Sequence, residues 1–174
     1  SSLFTAAVLW AATRWEREAD DPDSARWILL IFFLIGLSIG VHLLNLLVIP
    51  TIGLIVYFRK FKYSLKGLLA AIALSGAGVL IVLQVIIPGL LSLSEKLELF
   101  FVNQLSLPVH SGLITWLLLL AAAISGGLVY TQRKQLPTIN LSILCLTFLL
   151  IGYTSYAATL IRASAGVPVN QGNP

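Results

Sequence analysis

Apolar residues gather into six stretches along this chain: Leu3–Trp15, Trp27–Val41, Leu43–Phe58, Gly67–Leu91, Gly112–Tyr130 and Thr138–Ile161. The polar breaks between them are short. Residues 14–26 are rich in charge and closed by Asp21-Pro22-Asp23, Arg59–Lys66 is basic, and Thr131–Pro137 is basic with a proline stop. Residues 93–107 follow a different pattern. Leu93, Leu97, Phe100 and Phe101 fall mainly on one side of a helical wheel. Ser92 and Glu95 have the capping-box spacing, and Pro108 ends the run. This predicts a short amphipathic helix lying at a membrane interface, with no span of its own.

The second and third stretches require a choice. As one helix, residues 27–58 would reach about 48 Å, too long for a comfortable single span. Charge decides between the alternatives. With a hairpin there, one side of the membrane receives Arg14, Arg17, Arg26, Arg59, Lys60, Lys62, Lys66, Arg133 and Lys134, and the other only Lys96 and Arg162. With one long span the cations divide almost evenly. Positive charge concentrates on the inner side of membrane proteins, so the hairpin is preferred. The chain then enters from outside, crosses six times and leaves its C-terminus outside. The hairpin apex falls near 40–45, on the outer side and somewhat within the membrane. Gly36 and Gly40, four apart, give a small-residue face for close helix packing.

Composition agrees with this pattern and removes other classes. Of 174 residues, 58% are hydrophobic and 10% charged, against about a quarter charged in a soluble domain. Disordered, collagen-like and disulfide-framework chains are excluded by the apolar content, the aperiodic glycines and the single cysteine. The expected fold is an all-α membrane protein with about six transmembrane helices, a short re-entrant-like hairpin and one outer amphipathic helix. The chain has no methionine and opens in mid-apolar run. Ser1 to Trp15 gives roughly 22 Å of helix, short of a ~30 Å hydrocarbon core. No basic n-region precedes it, so it is not a signal peptide. The expectation is an internal fragment of a longer protein; the alternative is a processed whole one.

Polar groups in or near the bilayer are expensive and are therefore candidates for function. His42 and Asn45 share a helix face at the hairpin apex, fit for a substrate or phosphate contact or for a hydrogen-bonded pair closing the hairpin. Tyr153, Tyr156 and Arg162 lie along the outer half of the last span. A guanidinium there suits a lipid-linked phosphate, with an aromatic belt and a snorkelling arginine as the plain alternative. Asn170 and Asn173 sit in the extended tail, which more simply leads to an external domain. Glu95 and Glu98 are the outer carboxylates, and a base for sugar transfer must be an outer acid. At that spacing they more simply form a solvated face. Glu16, Glu18, Asp20, Asp21 and Asp23 read as a solvated inner loop with no metal spacing. Cys145 reads as packing, and His110 has no evident partner. The chain has no P-loop, CxxC, zinc spacing or haem-like histidine pair. No catalytic residue and no metal ligand is assigned.

Two stretches carry a resemblance. One runs from Trp27 through Gly36-Leu37-Ser38-Ile39-Gly40-Val41-His42-Leu43-Leu44-Asn45 to Pro50. The other runs from Gly152-Tyr153-Thr154-Ser155-Tyr156 through Ile161-Arg162 to the tail Pro168–Pro174. Together with the opening Leu3–Glu18 they resemble a large bacterial membrane family first catalogued as a domain of unknown function. That family is similar to protein O-mannosyltransferases of the GT-C superfold. The resemblance implies an integral glycosyltransferase of the bacterial cytoplasmic membrane. Such an enzyme moves a sugar from a polyprenyl-phosphate carrier to a protein or other acceptor on the outer face. It implies that residues 1–161 belong to a larger GT-C-like core and that 162–174 lead outward to a further region. It also implies that the catalytic acid lies in an outer loop ahead of Ser1. His42 stands where the superfold's glycine-rich helix ends in lysine. His42, Asn45, Tyr153, Tyr156 and Arg162 would then form the carrier-phosphate side of the site.

No cofactor is expected beyond the lipid-linked sugar as donor substrate, and the residues leave metal dependence open. Membrane lipids, the lipid-linked sugar, a protein acceptor or partner membrane subunits are the expected partners, and nucleic acid is not. A second reading is a non-catalytic accessory subunit of a larger complex. It would present Ala70, Ala73 and Ala77, and Ala122 and Gly126, to partner helices. A transporter is a weaker third reading, since Pro50 and Pro88 could break helices but no internal repeat is present.

Overall fold

The computed structural model describes residues 2–39 and 46–155. Among the described residues the chain is helical and contains no strand. This is the expected response of a backbone in lipid, where each N–H and C=O must be satisfied within its own segment. The helices are α1 (Ser2–Arg17), α2 (Ala25–Ile39), α3 (Val48–Lys60), α4 (Leu65–Ile81), α5 (Ile87–Asn103), α6 (Ser111–Arg133) and α7 (Pro137–Tyr153). Three segments are long and apolar enough to cross a membrane: Pro22–Ile39, Leu65–Asn103 and Ser111–Arg133. α7 is apolar but shorter. The chain forms two compact units, one of Ser1–Arg59 with Leu144–Pro174, the other of Lys60–Ile143.

In the first unit, α1 and α2 pack together. α1 buries Val8, Ala11, Ala12 and Trp15, a stripe at helical spacing. α2 buries Ile31, Ile35, Ser38 and Ile39 on the matching face. Ser38 meets its polar requirement locally, its hydroxyl donating to the Ile35 carbonyl at 2.7 Å. The turn between the helices is an electrostatic clasp. The Glu18 carboxylate accepts from Trp27 Nε1 at 2.6 Å and Arg26 Nη2 at 2.7 Å. Trp10 meets the Trp27 ring edge-on at 5.4 Å. The Arg14 guanidinium sits 5.8 Å and 5.9 Å from the two indole centroids, within cation–π range.

The acidic loop is therefore more than a solvated face: Glu18 organises it, and Asp20 accepts a hydrogen bond from Arg59 Nη2. Arg59 Nε also donates to the Glu16 carbonyl at 3.2 Å. The end of α3 thus returns to the loop from which α2 departs. The end of α3 and the start of α2 therefore lie at the same end of this unit, an arrangement that the expected hairpin also has.

The second unit holds a long continuous helix. α4 and α5 join through a π-helical turn, Val82–Ile86, into one rod, Leu65–Asn103. The expected break at Ser92 is not there. The amphipathic run is helical through Asn103 but continues the same helix, so Ser92 is a mid-helix residue and does not cap a new helix. Pro88 does not break the helix either. A proline has no N–H and crowds the carbonyl four residues back. Here the turn before it is widened, with Ile87 N–H donating to the Val82 carbonyl five residues back. A π-turn is a known way to absorb such a misfit.

α6 folds back along α5. Glu98 on α5 caps it, accepting from the backbone N–H groups of His110 and Leu113. His110 adopts a left-handed conformation (φ 75°) to make the turn. Gly112 then meets the backbone of Glu98, where a Cβ would collide. At its other end α6 closes on a left-handed Gln135, with Leu136 N–H donating to the Thr131 carbonyl at 2.9 Å, and Pro137 starts α7. Asn140 Nδ2 bridges to Thr131 Oγ1 at 2.8 Å and the Leu128 carbonyl at 3.1 Å, so α7 is pinned to α6 by a satisfied polar group.

Glycines at helix contacts and glycines in open space make a direct comparison. Gly36→Ala and Gly112→Ala each place a methyl against backbone and are expected to cost about 1–3 kcal/mol or more. Gly76→Ala and Gly78→Ala meet nothing within 4 Å and are expected to be neutral or stabilising by about 0.5–1 kcal/mol. Thermal unfolding of the purified protein in detergent checks both pairs.

The clasp predicts an acid response. The Trp27 hydrogen bond, then the Arg26 hydrogen bond, hold the Glu18 carboxyl below its usual range. Its stabilising effect is thus present above the ordinary carboxylate pKa and is lost as pH falls through the lowered native value. The difference in thermal midpoint between wild type and Glu18→Gln should be constant near neutrality and shrink below about pH 4.5.

Candidate functional site

Of the five residues proposed to bind substrate, Tyr153 lies within the described residues. His42, Asn45, Tyr156 and Arg162 lie outside them, as do Asn170 and Asn173 of the tail. Tyr153 ends α7 and is half-buried.

The helices that lead to these positions are described, and they meet. α7 buries Cys145, Leu149 and Gly152, spaced to share one face. Gly152 abuts α2: a Cβ there would collide with the Phe33 carbonyl oxygen and lie 2.7 Å from Leu37 N. Gly36 makes the reciprocal contact. A Cβ on it would collide with the Leu149 carbonyl oxygen and lie 3.1 Å from the Gly152 Cα. The two backbones touch because neither glycine has a side chain. Tyr153, next after Gly152, is therefore carried beside the last turn of α2, which ends at Ile39. The two stretches that carry the resemblance, far apart in sequence, come together at this contact.

Glu95 and Glu98 separate in role. Both oxygens of Glu98 accept backbone N–H groups at the start of α6, so its part is structural. Glu95 is exposed. His110 enters this cap through its backbone, the main-chain N–H donating to Glu98. Cys145 is buried in the α7 face, in keeping with packing. Among the described residues no group of three His, Cys, Asp or Glu side chains is placed to hold a metal ion.

Sequence reasoning passed over several organising residues. Asn140 stands in an apolar run, and that isolation was a readable signal. Glu18, Asp20 and Arg59 gave a weaker one. Charged loops are usually solvated, and nothing in the spacing shows that Arg59 returns to Asp20.

Residues 1–65 match the family model described as the protein O-mannosyl-transferase TMEM260 N-terminal domain. No curated protein and no solved structure matches the chain. The matched part contains α1, α2 and α3, with the Glu18 clasp and Gly36. Over these residues the chain is similar to a protein O-mannosyl-transferase family, which is consistent with a glycosyltransferase-like membrane protein.

Proposed function

We propose that this chain is a segment of an integral-membrane glycosyltransferase that moves a sugar from a polyprenyl-phosphate carrier to a protein or other acceptor on the outer face. The observation that carries this reading is the match of residues 1–65 to a protein O-mannosyl-transferase family. The meeting of α2 and α7 at Gly36 and Gly152 adds support, since it directs the chain toward both proposed binding stretches. In this reading Arg162 and His42 clamp the carrier phosphate. A guanidinium offers a phosphate two parallel N–H bonds, and this contact strengthens as the phosphate becomes the leaving group. Asn45, Tyr153 and Tyr156 line the wall beside it. No residue of this chain is assigned as the base that accepts the acceptor proton. The proposed membrane is the bacterial cytoplasmic membrane, with the basic loops inside.

A second reading, a non-catalytic accessory subunit, draws on the second unit. Ala70, Ala73, Ala77, Ala122 and Gly126 are all exposed there, and Gly126 has open space around it.

The test is transfer of labelled sugar from a polyprenyl-phosphate-linked donor by the full-length protein in membranes. Arg162→Ala and His42→Ala are each expected to lower kcat/KM by about a hundredfold or more, as removal of an oxyanion donor does. Unchanged transfer in both variants would reject the proposed clamp. No transfer from any such donor by a folded protein would favour the accessory reading.

A further inference from the structure

We propose that Gln84 centres a homodimer contact within the membrane. One face of the rod Leu65–Asn103 packs in parallel against the same face of a second copy of this chain, and the two Gln84 amides hydrogen-bond to each other. The inference rests on the membrane-spanning fold and is independent of the transferase reading.

Gln84 is the central residue of the rod. Between Lys66 and Ser92 the sequence holds two polar side chains, Ser75 and Gln84. Ser75 is satisfied within its own helix, its Oγ donating to the Ala71 carbonyl at 2.6 Å. The Gln84 amide is exposed and, among the described residues, has no hydrogen-bond partner. The apolar run Gly67–Leu91 is roughly 36 Å long, and Gln84 stands about 10 Å from its nearer end. A ~30 Å hydrocarbon core along this run therefore encloses it. The backbone beside Gln84 is short of a donor as well. Gln84 is the middle residue of the π-turn Val82–Ile86, and Ile87 N–H goes to the Val82 carbonyl. Pro88 has no N–H. Neither of the residues four and five positions on therefore donates to the Leu83 carbonyl. Open polar groups are expensive in hydrocarbon, so a partner that satisfies them is favoured over lipid.

The amide selects the partner. It carries both donors and an acceptor, so it is its own complement. Two copies inserted in one orientation hold residue 84 at one depth, and a two-fold axis along the membrane normal brings the pair face to face. Any other helix would need a polar group at that same depth. The surrounding face admits close approach. Ala70, Ala73, Ala77, Leu80 and Gln84 follow one another at spacings of three, four, three and four, the seam of a parallel helix pair. All five are exposed. α6 packs against the α5 part of the rod and leaves this face uncovered. Alanines let the two axes draw close, and one amide on such a seam fixes its register.

The test uses the full-length protein in phosphatidylcholine bilayers, with donor- and acceptor-labelled copies mixed at rising protein-to-lipid ratio. The wild type should show energy transfer that saturates as dimers form. Gln84→Leu, similar in size but without the amide, should weaken association by about fivefold to thirtyfold. Gln84→Asn, which keeps the amide, should retain most of it. Disulfide cross-linking in a cysteine-free background gives an independent reading. Ala77→Cys and Leu80→Cys should each yield covalent dimers on oxidation. Ile72→Cys, exposed on another side of the helix, should not. A wild type that stays monomeric at every ratio overturns the proposal and leaves this face to another segment or a different protein. Unchanged association in Gln84→Leu, or dimers formed through Ile72→Cys and not through Ala77→Cys, also overturns it.

Discussion

The contact of two helix backbones at Gly36 and Gly152 is the constraint on which the first unit depends. In a bilayer the hydrophobic effect does not drive one apolar helix onto another, because lipid tails are as apolar as leucine. Close packing must supply the attraction, and it grows as axes approach. Removing two side chains at facing positions lets α2 and α7 touch main chain to main chain. Tyr153 and the last turn of α2 inherit their neighbourhood from that approach.

The opposite end of the same unit is held by polar chemistry. Glu18 gathers Trp27, Arg26 and Arg14, and Asp20 receives Arg59. These groups sit in loops and helix ends, where water screens them. The Asp20 side chain is 87% exposed, so its pairing with Arg59 adds little to stability. Its value is geometric, since it fixes where α3 finishes. Directional hydrogen bonds set the turns, and close packing holds the helix faces.

The second unit solves a different problem. A rod of 39 residues exceeds the hydrocarbon core, and it contains a proline. The π-turn before Pro88 lets the helix continue, and the Glu98 cap with Gly112 lets α6 start hard against it. Only 6% of the apolar window of α6 is buried by the chain itself. Its surface is therefore suited to lipid or to other helices.

Much of this organisation was legible in the sequence. Most apolar runs marked the helical segments to within a few residues, but the run ended at Leu91 belongs to a helix that continues to Asn103. The distribution of Arg and Lys marked the fold-back of residues 27–58, because charge across a membrane is a sum that needs no coordinates. The spacing of Gly36 and Gly40 pointed to close packing, though the partner found is Gly152. The family similarity lay in the order of residues 1–65. Other features depended on three-dimensional proximity. Ser92 and Glu95 carried a capping signature, yet the run of good helix formers around them continued the helix through it. Pro88 looked like a break until a widened turn supplied the missing room. The partners of Glu18, Asp20, Glu98 and Asn140 lie up to 39 residues away. No local period encodes such pairs, because they arise only when separate helices have packed. The sequence by itself determined that this chain is helical, apolar and folded back at its basic loops, since these follow from solvent and charge. The tertiary structure decided which backbones touch and which acids are committed to caps and clasps, since those are matters of distance.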